Sequence, residues 1–234
     1  MNRIFRWTIA LWSIVALSAC HNGNEKIPIN DTRIEELIEL ANKGDADAQY
    51  KLGACYERGD MIERDMEKAI KLYIQSAMQG NADAQLELGI EYQKGMNIKQ
   101  NSDSAFYWFK KAAEQGLPIA QSNLGVCYEQ GIGVKENRLE AMKWMRIAAN
   151  NGDVTAMKFM GDYYDDEENP VEASKYYLKA AKQGEASAQY NLGIYYFFGR
   201  GIEKNKEEAM KWLRNAAKQG NPKAIDFLNS YSQY

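Results

Sequence analysis

One feature constrains this chain more than any other: most of it repeats every 36 residues. The first repeat begins at Asp45 with D-A-D-A-Q-Y-K-L-G-A-C-Y-E-R-G. The second begins at Asn81, the third at Leu117, the fourth at Asp153 and the fifth at Glu185, where E-A-S-A-Q-Y-N-L-G-I-Y-Y-F-F-G stands. The fourth has 32 residues, having lost four from its internal loop. A period of this length signals a solenoid, in which each repeat packs mainly on its neighbours. The question of how many separate cores 234 residues can build then loses its force.

Each repeat reads as two helices, so the expected fold is all-α. In the first helix Ala48, Leu52, Gly53 and Tyr56 share one face by helical spacing. A glycine inside a helix costs about 1 kcal/mol against alanine. Its return as Gly53, Gly89, Gly125, Gly161 and Gly193 therefore implies close helix contact. Gly59, Gly95, Gly131 and Gly199 end the first helix in left-handed caps. A loop follows with one apolar anchor, Ile62, Ile98, Val134 or Ile202, and Asp65, Asn101, Asn137 and Asn205 cap the second helix. That helix is expected to pack Ala69, Ala105, Ala141, Ala173 and Ala209, each with a large residue: Leu72, Trp108, Trp144, Tyr176 or Trp212. Gly80, Gly116, Gly152, Gly184 and Gly220 close the repeats.

The N-terminus reads as an address. Arg3 and Arg6 precede thirteen uncharged residues, Trp7 to Ala19. That is too short to span a bilayer and suits a signal-peptide core. The segment ends Leu17-Ser18-Ala19-Cys20, which resembles the bacterial lipoprotein cleavage signal. The resemblance implies removal of residues 1–19 and lipidation of Cys20. It also places the protein in the bacterial cell envelope, and His21, where an Asp would favour the inner membrane, points to the outer membrane, facing the periplasm. Residues 20–30 read as a flexible tether, spanning roughly 17 Å for ten residues. Cleavage takes the net charge from −3 to −5, because it removes two bases and no acid. His21 is the only histidine, so the body has no imidazole for acid–base or metal chemistry. The near-neutral charge argues against nucleic acid.

The repeats resemble the Sel-1-like family, relatives of the tetratricopeptide repeats. The pattern is A-x-A-Q-Y-x-L-G-x-x-Y-x-x-G-x-G-x, then A-x-x-W-x-x-x-A-A-x-Q-G, and the fifth repeat fits it almost residue for residue. Met61 and Asn97 stand where the loop's second glycine is expected, and the shortened fourth repeat departs most. The resemblance covers residues 45–220. Residues 31–44 look like a lone second helix and 221–234 like a lone first helix, as capping half-repeats. The family implies a right-handed α-solenoid of helix–turn–helix repeats, with a concave face built mainly by first helices. It further implies a monomer without cofactor or catalysis that binds proteins as an adaptor or scaffold. Repeat lipoproteins of this family also occur beside secreted phospholipase effectors, which implies the alternative of an immunity protein that neutralises a toxin. Some secreted members carry a cysteine pair in every repeat and are linked to β-lactam hydrolysis. Here Cys55 and Cys127 are two repeats apart, and no serine is followed three residues later by lysine, which leaves a hydrolase the weakest reading.

By helical phase, the face opposite the buried stripe carries Asp47, Glu57, Asp83, Glu129, Asp162, Asp165 and Asp166 against Arg58, Lys94 and Lys158. Toward the C-terminus it carries Tyr190, Ile194, Phe197 and Phe198, with Tyr50, Leu86, Ile90 and Val126 elsewhere along it. The binding candidates are therefore Tyr50, Leu86, Ile90, Asp162, Asp165, Tyr190, Ile194, Phe197 and Phe198. They form either an aromatic anchor with an acidic steering stretch, or a cap-covered cluster beside a solvated acidic face. The run Asp165-Asp166-Glu167-Glu168 lacks the alternating oxygen spacing of a calcium loop.

Overall fold

A computed structural model describes residues 31–231. The leader, Cys20 and the tether lie outside these residues. Among the described residues, twelve α-helices and no strand make the expected α-solenoid. None of these helices is long and apolar enough to cross a membrane. The chain divides into two compact units, the first ending at Gln79 and the second beginning at Gly80.

The first unit holds α1 (Asp31–Asn42), α2 (Ala46–Arg58) and α3 (Met66–Met78). Asp45 and Asp65 cap α2 and α3 through their side chains. Ile34 and Ala41 of α1 are buried with Ala48, Leu52 and Cys55 of α2. Gln49 Nε2 donates to the Ala41 carbonyl at 3.2 Å, so α1 stands beside α2 as a second helix stands beside the next first helix.

The second unit alternates first helices α4 (Ala82–Lys94), α6 (Pro118–Gln130), α8 (Val154–Asp166) and α10 (Ala186–Phe198) with second helices α5 (Ser102–Glu114), α7 (Arg138–Asn150), α9 (Pro170–Lys182) and α11 (Lys206–Lys218). It ends in α12 (Pro222–Tyr231). Gly95, Gly131 and Gly199 terminate first helices with left-handed backbone, and Asn101, Asn137 and Asn205 cap second helices.

Within every repeat the helix-internal glycine admits one large side chain from the second helix. A Cβ on Gly53, Gly89, Gly125, Gly161 or Gly193 would sit 2.5 to 3.0 Å from Tyr73, Phe109, Met145, Tyr177 or Leu213 respectively. Real side chains do not approach closer than 3.0 Å, so contact requires glycine at four of these positions, while at Gly125 the flexible Met145 would have to give way. The side chain that fills this contact is the one after the large residue expected to pack in the second helix. Tyr176 is buried, but Leu72, Trp108, Trp144 and Trp212 are only half-buried, while the residue after each is fully buried.

A second device ties neighbouring helices together. The glutamine of the A-x-A-Q motif accepts from the residue that follows its own repeat's second helix. Gln79 donates to Gln49 at 2.7 Å, Gln115 to Gln85 at 2.8 Å, Asn151 to Gln121 at 2.9 Å and Gln219 to Gln189 at 2.8 Å. Gln121 and Gln189 also reach back to the preceding second helix: Gln121 donates to Ala113 O at 3.3 Å and Gln189 to Ala181 O at 3.2 Å. A buried amide that fills both its acceptor and its donor fixes the register of three helices. The fourth repeat has Met157 there, and Gln183 meets only its sulfur, at 3.5 Å.

The shortened fourth loop keeps its closing bond. The helix-capping residue donates its backbone N–H to the carbonyl of the recurring tyrosine in repeats one to three and five, as in Asn205 to Tyr196 at 2.9 Å. Asn169 does the same to Tyr164 at 2.8 Å. Glu168 makes the tighter turn at φ 55°, and Met61 stands at φ 63° in the first repeat, conformations that glycine adopts more readily.

Candidate partner-binding face

Among the first helices, α8 and α10 hold most of the candidate residues. Asp162 lies one turn from the end of α8, next to Gly161, which lets Tyr177 lie flat against the helix. The Tyr177 hydroxyl donates to Asp162 Oδ1 at 2.9 Å, and Lys158 pairs with the other oxygen. One turn on, Tyr195 of α10 donates to Asp165 Oδ1 at 2.5 Å, and Arg200 donates to the same atom at 2.8 Å. The Tyr177 and Tyr195 rings meet edge to face, 5.3 Å between centroids, and the Arg200 guanidinium sits 5.0 Å above the Tyr195 ring.

Burial and the adjacent carboxylates push both phenols well above the ordinary tyrosine range. They stay protonated and serve as donors. The carboxylates are thereby held in fixed positions by groups beneath the surface. Asp166 is exposed, and desolvation followed by the charges of Asp162 and Asp165 raises its pKa. Glu129 of α6 is also raised, first by desolvation, with Arg138 opposing. The negative charge of this face is thus incompletely balanced. The four first helices of the second unit carry seven acids and two bases, the four second helices six acids and twelve bases.

The end of α10 carries an aromatic group. Phe197 packs edge to face on Phe227 and Tyr231 of α12, at 5.2 and 5.5 Å, and Lys206 Nζ lies 5.6 Å from its ring centroid. Phe198, 5.0 Å from Phe197, is 60% exposed. Tyr190 and Ile194 are half-buried against Leu213, Ala216 and Ala224. The two phenylalanines therefore split the two readings: Phe197 packs under the terminal helix, and Phe198 faces solvent.

Two candidates are corrected. Leu86 is 4% and Ile90 8% exposed; both pack in a core with Phe109 and Leu124. The apolar stripe of α4 wraps farther than helical phase suggested, because the third repeat's α6 covers that flank. Tyr50 lies in the first unit, half-buried, its ring 5.8 Å from that of Tyr73. Helical phase did not reveal Tyr177, Tyr195, Arg200, Phe227 or Tyr231. Cys55 and Cys127 are free and buried, and burial pushes the Cys127 thiol up to about 12, so it is an inert core residue. Of the acidic run, Asp165 and Asp166 end α8 and Glu167 pairs with Arg138 at 3.1 Å. Among the described residues no group of three or more His, Cys, Asp or Glu is placed to hold a metal ion.

The Sel1 repeat family model matches residues 46–81, 82–117, 118–153, 154–185 and 186–221. No curated protein matches. The chain is similar to a protective antigen of uropathogenic Escherichia coli with an SLR fold: 36% identity, TM-score 0.76, 84% of this chain and 42% of that one. It is also similar to a Sel1 repeat protein from Oxalobacter formigenes: 32% identity, TM-score 0.80, 87% of this chain and 60% of that one. The chain thus spans less than two thirds of either. An immunity protein from Pseudomonas aeruginosa shares the fold at 23% identity and TM-score 0.52, over 76% of this chain and 67% of that one.

Proposed function

Because the chain belongs to the Sel1 repeat family, we propose that it is a lipid-anchored envelope protein that holds a partner protein on the first-helix side of its solenoid, without catalysis. One observation carries this reading: Phe198 stands exposed at the end of α10, one turn after Tyr195, whose buried phenol fixes the Asp165 carboxylate of α8. An exposed aromatic next to pre-positioned charge suits recognition, since aromatic anchors dominate binding energy and charge sets selectivity. Acid–base catalysis is disfavoured by the same geometry. Asp162 and Asp165 are occupied by tyrosine, lysine and arginine partners, and the phenols are held protonated. The anchor is the lipid on Cys20, and the location is the outer membrane, facing the periplasm.

The test is photo-crosslinking from position 198 in the native envelope, with identification of what is captured. Phe198→Ala is expected to lower partner affinity about tenfold or more while leaving the circular dichroism unchanged. Phe197→Ala is the wrong variant, because it would also unpack α12. Undiminished affinity in Phe198→Ala would overturn this face as the binding surface. Capture of several envelope proteins fits a scaffold; one stoichiometric toxin would instead favour an immunity role, and a protein of the same fold is described as an immunity protein.

A further inference from the structure

The charge of the second unit is segregated, and its cationic side has no role in the reading above. Lys110, Lys111, Arg146, Lys179, Lys182, Arg214 and Lys218 are all exposed in the last two turns of α5, α7, α9 and α11. They occupy matching positions in successive repeats. Acids on these helices sit mostly in the first turn, where Glu140, Glu172 and Glu208 pair with Lys143, Lys175 and Lys211. Within the cationic stripe the one acid is Glu114, 3.9 Å from Lys110. Lys111 and Lys179 lie near the rings of Tyr107 and Tyr176.

Helix dipoles favour cations in a last turn, but they act on all helices alike. Three of the second unit's four first helices do not follow the preference: α6, α8 and α10 have no base in the last turn, α8 ends in Asp165-Asp166, and only α4 has one, Lys94. The stripe therefore belongs to the side of the molecule, not to helix ends in general. It is mostly lysine, spread over four repeats, without the forked arginine geometry that reads a discrete phosphate. Such a dispersed array matches a continuous anionic surface.

We propose that this second-helix side rests on an anionic phospholipid bilayer, leaving the acidic first-helix side turned outward to the partner. The inference rests on the lipid anchor proposed above, since the tether holds the body within reach of a bilayer. Each lysine or arginine near an anionic membrane contributes about five-fold in affinity.

The full chain carrying its N-terminal lipid would be reconstituted in vesicles of phosphatidylcholine alone, or with phosphatidylglycerol, and its lysines acetylated and quantified by mass spectrometry. Lys110, Lys111, Lys179, Lys182 and Lys218 are expected to react at least about five-fold more slowly in the anionic vesicles, with Lys94 of α4 unchanged. High salt should abolish the difference. Lys179→Gln with Lys182→Gln should remove most of the protection at the other three lysines. Equal reactivity in both vesicle types overturns the inference, as does equal protection in both. Failure to co-float with either vesicle overturns the anchor itself, a distinct outcome.

Discussion

The fourth and fifth repeats are adjacent and were built from the same pattern, yet they keep their shape by different means. The fifth has Gln189 in the buried ladder and Gly201 in a full-length loop; a Cβ on Gly201 would overlap the Pro170 backbone. The fourth has Met157, no such loop, and Glu168 in left-handed backbone. What both retain is the N–H bond from the capping asparagine to a tyrosine carbonyl, and the glycine that seats Tyr177 or Leu213. Loop length and the glutamine are therefore replaceable, while turn closure and the glycine seat are common to both. The fourth repeat also adds what the fifth lacks: a phenol, Tyr177, in the seat, which reaches through to Asp162.

The largest effect is expected where the fifth repeat depends on a feature the fourth has discarded. Gly201 has φ 61° and abuts the start of α9. Gly201→Ala should cost about 3 kcal/mol or more, combining strained backbone with overpacking. In a solenoid the loss should be local, so hydrogen exchange should accelerate in α10 and α11 before α6 and α7. A variant of near wild-type stability would show that the loop contact is dispensable in the fifth repeat too.

The ladder gives the next contrast. Gln189→Met copies the fourth repeat into the fifth and removes two hydrogen bonds, one from the Gln219 amide and one to the Ala181 carbonyl, which keeps its bond from the Gly184 N–H. The expected loss is about 2 kcal/mol, since each of the two hydrogen bonds contributes about 1 kcal/mol net. Met157→Gln should restore the missing rung and gain roughly 1 kcal/mol. Denaturant midpoints measure both, and equal losses from the two changes would contradict the ladder.

The repeat pattern made the helices, caps and closing glycines legible, because each is a local choice recurring at one position. The packing partner of the glycine was not legible. Tyr73, Phe109, Met145, Tyr177 and Leu213 share size but not chemistry, so self-comparison shows no column there. The neighbouring position repeats as Trp108, Trp144 and Trp212 and carries the stronger pattern. The candidate face was half legible for the same reason. Helical phase put Asp162, Asp165 and Phe198 outward, but the phenols that fix the carboxylates come from beneath, and Leu86 and Ile90 were covered by a neighbouring repeat that phase within one helix does not see.

The smallest expected effect concerns how the fourth repeat begins. Asp153 caps α8, accepting from Ala156 N at 2.6 Å, and it is buried. Desolvation raises its pKa, opposed by the Ala156 N–H and the Ser122 hydroxyl. A raised folded-state pKa means the folded chain holds the proton to higher pH than the unfolded chain does. Stability then falls as pH rises from the unfolded value near 4 through the folded value, and stays lowered above it. An asparagine at this position would keep the cap acceptor without the charge, because asparagine caps about as well as aspartate. Asp153→Asn should therefore equal or exceed the wild type at pH 7, within about 1 kcal/mol, and the advantage should vanish below pH 4. Thermal midpoints across that range decide it. A variant weaker than wild type at pH 7 would mean that the α8 terminus stabilises the anion more than burial penalises it.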